Sequence, residues 1–358
     1  MESKKTTLVI GAGSTLSDGA RRPLAKRPPL DKGFFSVCER LGSEHYPTVK
    51  HYLESTYGID PTDASHDSLE SMMAIIYADL SSPKLKDSAT EAFRSLIRLF
   101  SRRLAETTNS LDISNRGNLY RILTKLLTSG VKPEDISIIT FNQDLQIEKA
   151  LERLSNTRKY QKFGTLFSFP SCYRLTKASQ KLTNPGQSVP KFKTNSSDVG
   201  IAIYKLHGSL NWFSIHNSPS MPTRAILNPD RSLRITPRRE LLMDLRFTAG
   251  KKTNHTFPLI IPPVNHKASI IHTDLHPLWE KAESALENSE QVIVFGYSCP
   301  PSDFESANLL RRAAGSGEDP ETLSVIDPNP ETFQRYVDVT ALNHLSFFRS
   351  AEAYLEKG

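Results

Sequence analysis

The first apolar run, Thr6–Ile10, is a stretch of β-favouring residues broken by Gly11-Ala12-Gly13, and it reads as a buried first strand turning into a glycine loop. The period then changes. Leu69, Met72, Met73, Ile76 and Leu80 recur at helical spacing behind Asp67 and Glu70, which predicts a capped amphipathic helix. Phe93, Leu96, Ile97, Phe100 and Leu104 predict a second helix. Leu119, Ile122, Leu123, Leu126 and Leu127 predict a third, with Gly130 as its C-cap. Strand character returns at Ile136–Phe141, and Ile147, Ala150, Leu151 and Leu154 follow at helical spacing. Ile201–Leu206, Pro258–Ile261, Val292–Phe295, Leu323–Ile326 and Leu345–Phe348 read as further strands. Helices are expected to start at Pro277, a residue suited to the first helical position, and near Ser302.

Strands alternating with helices predict an α/β fold: a doubly wound, mostly parallel Rossmann-like sheet with a helical insertion after the first strand. Residues 1–30 and 131–358 would build the sheet domain, and 31–130 the helical insertion subdomain. Ligands of such sheets sit beyond the carboxyl ends of the strands, so the residues following each strand carry the chemistry. Gly11, Ala12, Gly13, Ser14 and Thr15 follow the first strand and suit a phosphate loop, the glycines allowing backbone approach and the following amides donating. The dehydrogenase fingerprint is excluded, because Leu16 stands where its third glycine belongs and Asp31 follows a Pro- and Arg-rich stretch that cannot be a strand.

Thr140, Asn142 and Asp144 follow the next strand, with Glu148 one helical turn later. Two short polar side chains at i and i+2 would project into one crevice, while an Asn/Asp turn capping the next helix accounts for the same residues. His207 follows the third strand, and Gly208 beside it would leave backbone room for a ligand. Gly296, Tyr297 and Ser298 form a small-residue turn, and Asp327-Pro328-Asn329 places an acid and an amide where ribose hydroxyls could be gripped.

Composition narrows the class. In 358 residues, Cys38, Cys172 and Cys299 stand far apart, so neither a disulfide framework nor a four-cysteine zinc site can be assembled, and no metal is expected. The thiols read as ordinary buried cysteines in a reducing compartment. No apolar run approaches ~18 residues and no signal-peptide pattern occurs, so a soluble cytoplasmic protein without membrane association is expected. The net charge of +6 is concentrated between Lys149 and Lys193 and between Arg231 and Lys252. Such basic loops suit nucleic acid or an acidic protein surface, and equally a solvated face.

Taken in order, these junctions resemble the sirtuin (silent-information-regulator-like) family over essentially the whole chain, and most closely its zinc-free bacterial branch. Thr140, Asn142, Asp144 and Glu148 carry the resemblance, together with His207-Gly208, the stretch from Trp279 through Val292–Ser298 to Asp303, and Asp327-Pro328-Asn329. Two features depart from the family pattern: Thr15 replaces the serine of its Gly-Ala-Gly-x-Ser loop, and its Pro-Asp-Phe-Arg segment is not recognisable. The resemblance implies NAD as substrate, no metal, and cleavage of the nicotinamide–ribose bond. Asn142, Asp144 and His207 would be catalytic, with His207, whose ordinary pKa is ~6.5, as base. Gly11, Ala12, Gly13, Ser14, Thr15, Thr140, Gly296, Tyr297, Ser298, Asp327 and Asn329 would bind NAD.

The implied activity is that of an NAD glycohydrolase, and relatives in this branch deplete NAD in antiphage defence. A protein deacylase would need an acyl-lysine channel walled by a zinc-bearing module, for which this chain lacks the cysteines. A non-catalytic NAD or ADP-ribose sensor would tolerate loss of Asn142 or His207, and both are present. Unrestrained NAD destruction would poison the host cell, so a homo-oligomer or an activating partner protein is expected to control activity. Nucleic acid is a candidate for the basic loops.

Overall fold

The computed structural model describes residues 3–19, 22–23, 26–29, 31–110, 117–157, 166, 171–173, 181–182, 200–216, 234–235, 246–249, 252–261, 275–301, 303–315, 322–340 and 345–357. Strand β1 (Thr6–Ile10) runs directly into helix α1 (Ala12–Gly19). The chain then leaves the sheet through α2 (Phe34–Arg40), α3 (Tyr46–Tyr57), α4 (Leu69–Asp79), α5 (Lys86–Ser110) and α6 (Asn118–Thr128), and returns as β2 (Ile136–Thr140) and α7 (Gln146–Ser155). Next come β3 (Lys181–Leu182), β4 (Ala202–Lys205), β5 (Gly208–His216), β6 (Arg234–Ile235), β7 (Arg246–Ala249) and β8 (Lys252–Ile260). The carboxyl-terminal part alternates: α8 (His276–Glu287), β9 (Gln291–Phe295), α9 (Phe304–Gly315), β10 (Thr322–Ile326), α10 (Pro330–Thr340), β11 (Leu345–Phe348) and α11 (Ala351–Glu356).

Six strands form a parallel sheet in the order β11-β10-β9-β1-β2-β4. Counted along the chain within this sheet, the order reads 6-5-4-1-2-3, the doubly wound arrangement, with its reversal point between β1 and β9. β1 is central because all five of its side chains are buried, as a strand covered on both faces requires. The expected α/β class and sheet are therefore present. A second, five-stranded sheet, β3-β6-β5-β8-β7, was not anticipated. It is antiparallel apart from the β3–β6 pair, and it claims the Pro258–Ile261 run, of which Pro258 pairs with Phe213 and Ile260 with Gly208. That run is thus a correction: it lies outside the parallel sheet.

Between β1 and β2 the predicted helices appear as α4, α5 and α6, and their apolar stripes join the same buried cluster as Leu8, Val9, Ile138 and Ile139. Each fully buried aliphatic side chain of this cluster contributes about 1.5–3 kcal/mol. α6 ends as predicted: Gly130 adopts φ 96°, and the Val131 amide donates to the Leu126 carbonyl, a pairing characteristic of a glycine-terminated helix. The cap of α4 differs from expectation. Ser68 Oγ accepts from the Ser71 amide, whereas Asp67 reaches the start of α2, accepting from the Phe35 and Ser36 amides at 3.0 and 3.3 Å. Pro277 occupies the second position of α8, after His276.

Candidate functional site

Register brings the strand ends into one row. Ile10 pairs with Thr140 on one side and Phe295 on the other, Phe295 pairs with Ile326, and Thr140 pairs with Lys205. The residues following these five positions therefore line one edge, with β1 and β9 flanking the reversal point.

The glycines at that point pack loop against loop. A Cβ on Gly11 would lie 2.4 Å from Tyr297 Cα, one on Gly13 2.8 Å from Gly296 Cα, and one on Gly296, at φ 64°, 2.1 Å from the Ser14 nitrogen. The Gly11 amide donates to the Phe295 carbonyl, the Gly13 amide to Gly296 and the Ser14 amide to Gly11. The backbone space at Gly11 and Gly13 is thus filled by the β9 turn, and these three amides already have carbonyl partners. Gly208 follows the same logic: at φ 80° its Cβ would lie 2.2 Å from the Leu259 carbonyl oxygen, so β8 occupies the room expected for a ligand.

Thr15 is the centre of a buried polar cluster. Its hydroxyl lies 2.7 Å from Asp144 Oδ2 and 3.0 Å from Gln146 Oε1, and it accepts from Asn142 Nδ2 at 3.3 Å. Asn142 and Asp144 thus do converge on one point, against α1. Thr140 holds their turn, its Oγ1 donating to the Ile10 carbonyl and accepting from the Asn142 amide. The capping alternative is realised as well, because Asp144 Oδ1 accepts from the Gln146 amide at 3.0 Å, at the start of α7. Burial pushes the Asp144 carboxyl above the ordinary carboxylate range, against the pull of the Lys205 ammonium and these hydrogen bonds.

Residues that sequence reasoning did not single out complete the cluster. Gln146 joins the loops, its Nε2 donating to the Ser14 carbonyl and to Asp18 Oδ2, while Ser14 Oγ lies 3.1 Å from its Oε1. Lys205 has a fully buried side chain and donates to the Asp144 carbonyl and, at 3.0 Å, to Glu148 Oε1. Tyr173 donates to the same Glu148 oxygen at 2.8 Å and accepts from Asn211 Nδ2 at 2.8 Å. A lysine inside the otherwise apolar Ile201–Leu206 run was the available signal, since a buried ammonium demands partners.

His207 occupies the step from β4 of one sheet to β5 of the other, where its carbonyl accepts from the Ile261 amide. Its ring lies 5.3 Å from that of Phe141 and 6.3 Å from that of Trp279, and Phe141 in turn lies 4.2 Å from Tyr297. Its Nε2 is 3.9 Å from Asp303 Oδ1. Across the reversal point, Ser298 accepts through its carbonyl from Arg335, and the Tyr297 carbonyl accepts from Tyr336. Asp327 Oδ1 accepts from the Asn329 amide, Asn329 Oδ1 accepts from the Glu331 amide at the start of α10, and burial raises the Asp327 carboxyl.

Glu148 Oε2 and Trp279 Nε1 are buried without a hydrogen-bond partner among the described residues. Among those residues no group of three or more His, Cys, Asp or Glu side chains is placed to hold a metal ion, and no helix is long and apolar enough to cross a membrane. The three cysteines are buried free thiols. Most of the two basic loops lies outside the described residues.

Fold and site together define a doubly wound α/β protein with a polar, largely desolvated cluster beside the reversal point of its sheet, at the ends of β1, β2 and β4. No protein-family model matches the sequence, and no curated protein does. Solved structures are similar over 99% of this chain. One, from work on the mechanism and regulation of Sir2 enzymes, is 12% identical with a TM-score of 0.41 over 90% of its own length. A Sir2 mutant with p53 peptide and NAD is 13% identical with a TM-score of 0.40 over 92%. A third, concerned with sirtuin substrate affinity, is 13% identical with a TM-score of 0.37 over 92%. Likeness at this level concerns the course of the chain alone, and the chemistry rests on the side chains described above.

Proposed function

We propose that this chain is an NAD glycohydrolase that cleaves the nicotinamide–ribose bond of NAD, with water as the acceptor. The observation that carries the reading is the convergence of Asn142 and Asp144 on Thr15, with His207 one strand away, on the β1–β2–β4 side of the reversal point of a 6-5-4-1-2-3 sheet. Dinucleotides bind across that point in such sheets, with the pyrophosphate near the first helix and an acid on the ribose. Gly11 to Thr15 and Gly296 to Ser298 meet there, but with the Gly11, Gly13 and Ser14 amides already paired a pyrophosphate would draw on other donors, and Asp327 and Asn329 follow β10.

The chemistry asks little of the protein. Nicotinamide departs from a cationic ring as a neutral molecule and needs no general acid. The site must hold the substrate, stabilise positive charge developing on the ribose and direct a water to it. Asn142 would position the water or a ribose hydroxyl. The buried Asp144 carboxylate would face the developing charge, and His207 would take a proton from the attacking water. The wider reading, an antiphage effector that depletes NAD under the control of a homo-oligomer or an activating partner, follows from the sequence resemblance and belongs to the same proposal.

The test is incubation of the purified protein with NAD and resolution of the products by mass spectrometry. Nicotinamide and ADP-ribose formed without any peptide support the hydrolase, and Asn142→Ala and His207→Ala should each lower turnover by on the order of 10²-fold. Release that depends on an acyl-lysine peptide would make the protein a deacylase. NAD binding without products would make it a sensor.

A further inference from the structure

Asp303 stands apart from the groups assigned above. It immediately precedes α9, and its type suits a helix N-cap. Its side chain nevertheless points into the crevice: Oδ2 accepts from the Tyr297 hydroxyl at 2.9 Å, and Oδ1 lies 3.9 Å from His207 Nε2. Both side chains are nearly closed to solvent, His207 at 6% and Asp303 at 5% exposure. Tyr297 is itself anchored, since its carbonyl accepts from Tyr336 at 3.0 Å.

The other ionisable groups on the elements around His207 are engaged elsewhere. Asp144, on the β2–α7 turn, meets Thr15 and Gln146. Lys205, on β4, meets the Asp144 carbonyl and Glu148. Tyr297, on the β9 turn, meets Asp303. Phe141 and Trp279 face the imidazole with uncharged rings, and His276, at the start of α8, lies against Glu280.

We propose that Asp303 is the positioning residue for His207: held by the Tyr297 hydroxyl, its carboxylate faces the imidazole across 3.9 Å and stabilises it in the protonated form. The inference rests on the proposed cleavage of NAD. In that reaction one O–H bond of the attacking water breaks and its proton goes to His207. The oxygen bonds to the anomeric carbon, and the carbon–nitrogen bond breaks with its electron pair leaving on nicotinamide. The imidazolium so formed faces Asp303, which stays ionised and takes no proton. An opposite charge at this range raises the basicity of an imidazole, and the low local polarity strengthens the effect.

Asp303→Asn separates this role from helix capping, because Asn caps as well as Asp while carrying no charge. Two readouts are taken on the full chain. In the first, the acid limb of kcat/KM for NAD should move down by about one pH unit or more in Asp303→Asn. kcat should fall about tenfold or more with KM little changed, and Asp303→Glu should restore much of both. In the second, proton NMR titration of His207, assigned by the signal lost in His207→Ala, should show the same downward movement without any turnover. Asp303→Ser, a second neutral cap, serves if the Asn variant does not fold. A His207 titration that is unmoved by Asn and Ser overturns the inference even where nicotinamide is released. If wild-type protein releases none, the hydrolase reading fails, and the titration still decides whether Asp303 governs His207.

Discussion

Replacing Lys205 by Met tests whether the buried cluster is electrostatically balanced. Methionine keeps the length of the side chain and removes the charge, leaving the Glu148 carboxylate, 10% exposed, without the ammonium 3.0 Å away. The Asp144 carbonyl also loses its donor. Removing one partner of a buried pair costs about 3–5 kcal/mol, because the remaining charge cannot return to water. Unfolding entropy of about 2.1 cal/mol/K per residue over 358 residues gives about 1.3 °C per kcal/mol, so the variant should melt about 4–7 °C lower. Adding Glu148→Gln removes the stranded charge and keeps an acceptor for Tyr173, so the double variant should recover at least about 2 kcal/mol of the loss. The chain has two tryptophans. Trp212 stacks edge-on against Tyr173 at 5.2 Å and Trp279 faces His207 at 6.3 Å, so intrinsic fluorescence reports on this cluster during urea or thermal unfolding. A double variant melting no higher than Lys205→Met alone would show that the ammonium does not serve the carboxylate, and would refute the reasoning.

Two further substitutions probe the reversal point. Because burial raises the Asp144 carboxyl, its contribution to stability is fully present below the ordinary carboxylate value and is lost as pH rises through the folded value. Asp144→Asn should therefore flatten the dependence of melting temperature on pH above about pH 4 and melt no lower than wild type at pH 7, while turnover falls by on the order of 10²-fold; parallel melting curves for the two proteins would contradict the assignment. Gly296→Ala must clear the Ser14 nitrogen 2.1 Å from its Cβ at φ 64°, whereas Gly33→Ala, at φ 79°, meets nothing within 4 Å. Backbone strain alone should cost the Gly33 variant about 1–2 kcal/mol, and the Gly296 variant should lose at least about 3 kcal/mol through added overpacking; equal melting temperatures would show that the loop contact is not tight.

The parallel sheet was readable because its inner strands are buried on both faces and so appear as unbroken apolar runs, β1, β2, β9 and β10 above all. The second sheet was not, nor were α1, α2, α3, α10 and α11. α2 has seven residues, too few to display a helical period, and β3 and β6 have two each. In β5 the register slips between Ser209 and Phe213 and the buried Asn211 breaks the alternation that would mark a half-buried strand. Position after a strand was enough to anticipate that Asn142 and Asp144 share one crevice, since topology alone brings strand ends together. It could not find Gln146 or Tyr173, which reach the cluster only through tertiary folding. The glycines illustrate the limit: their presence was legible, but what crowds them is the backbone of Gly296, Tyr297 and Leu259, which no local pattern encodes.

The buried polar groups of the crevice differ in energetic character from the buried carboxylate of Asp79. Asp79, in the helical insertion, is also buried, and its carboxylate accepts from Tyr52 and Tyr57 hydroxyls at 2.6–2.7 Å, an arrangement that satisfies both oxygens. At the sheet edge, burial raises the Asp144 carboxyl and leaves Glu148 Oε2 and Trp279 Nε1 without partners among the described residues. Folding gains nothing from such atoms, since each desolvated group without a partner costs about 1–3 kcal/mol, and apolar side chains of equal volume would serve the core better. Groups of this kind persist where a ligand or a reaction uses them. Among the described residues such atoms also occur in the helical insertion, at Tyr46, Ser101 and Thr124, so what sets the crevice apart is that one of them belongs to Glu148, paired with the buried Lys205 ammonium beside the Asn142, Asp144 and Thr15 cluster.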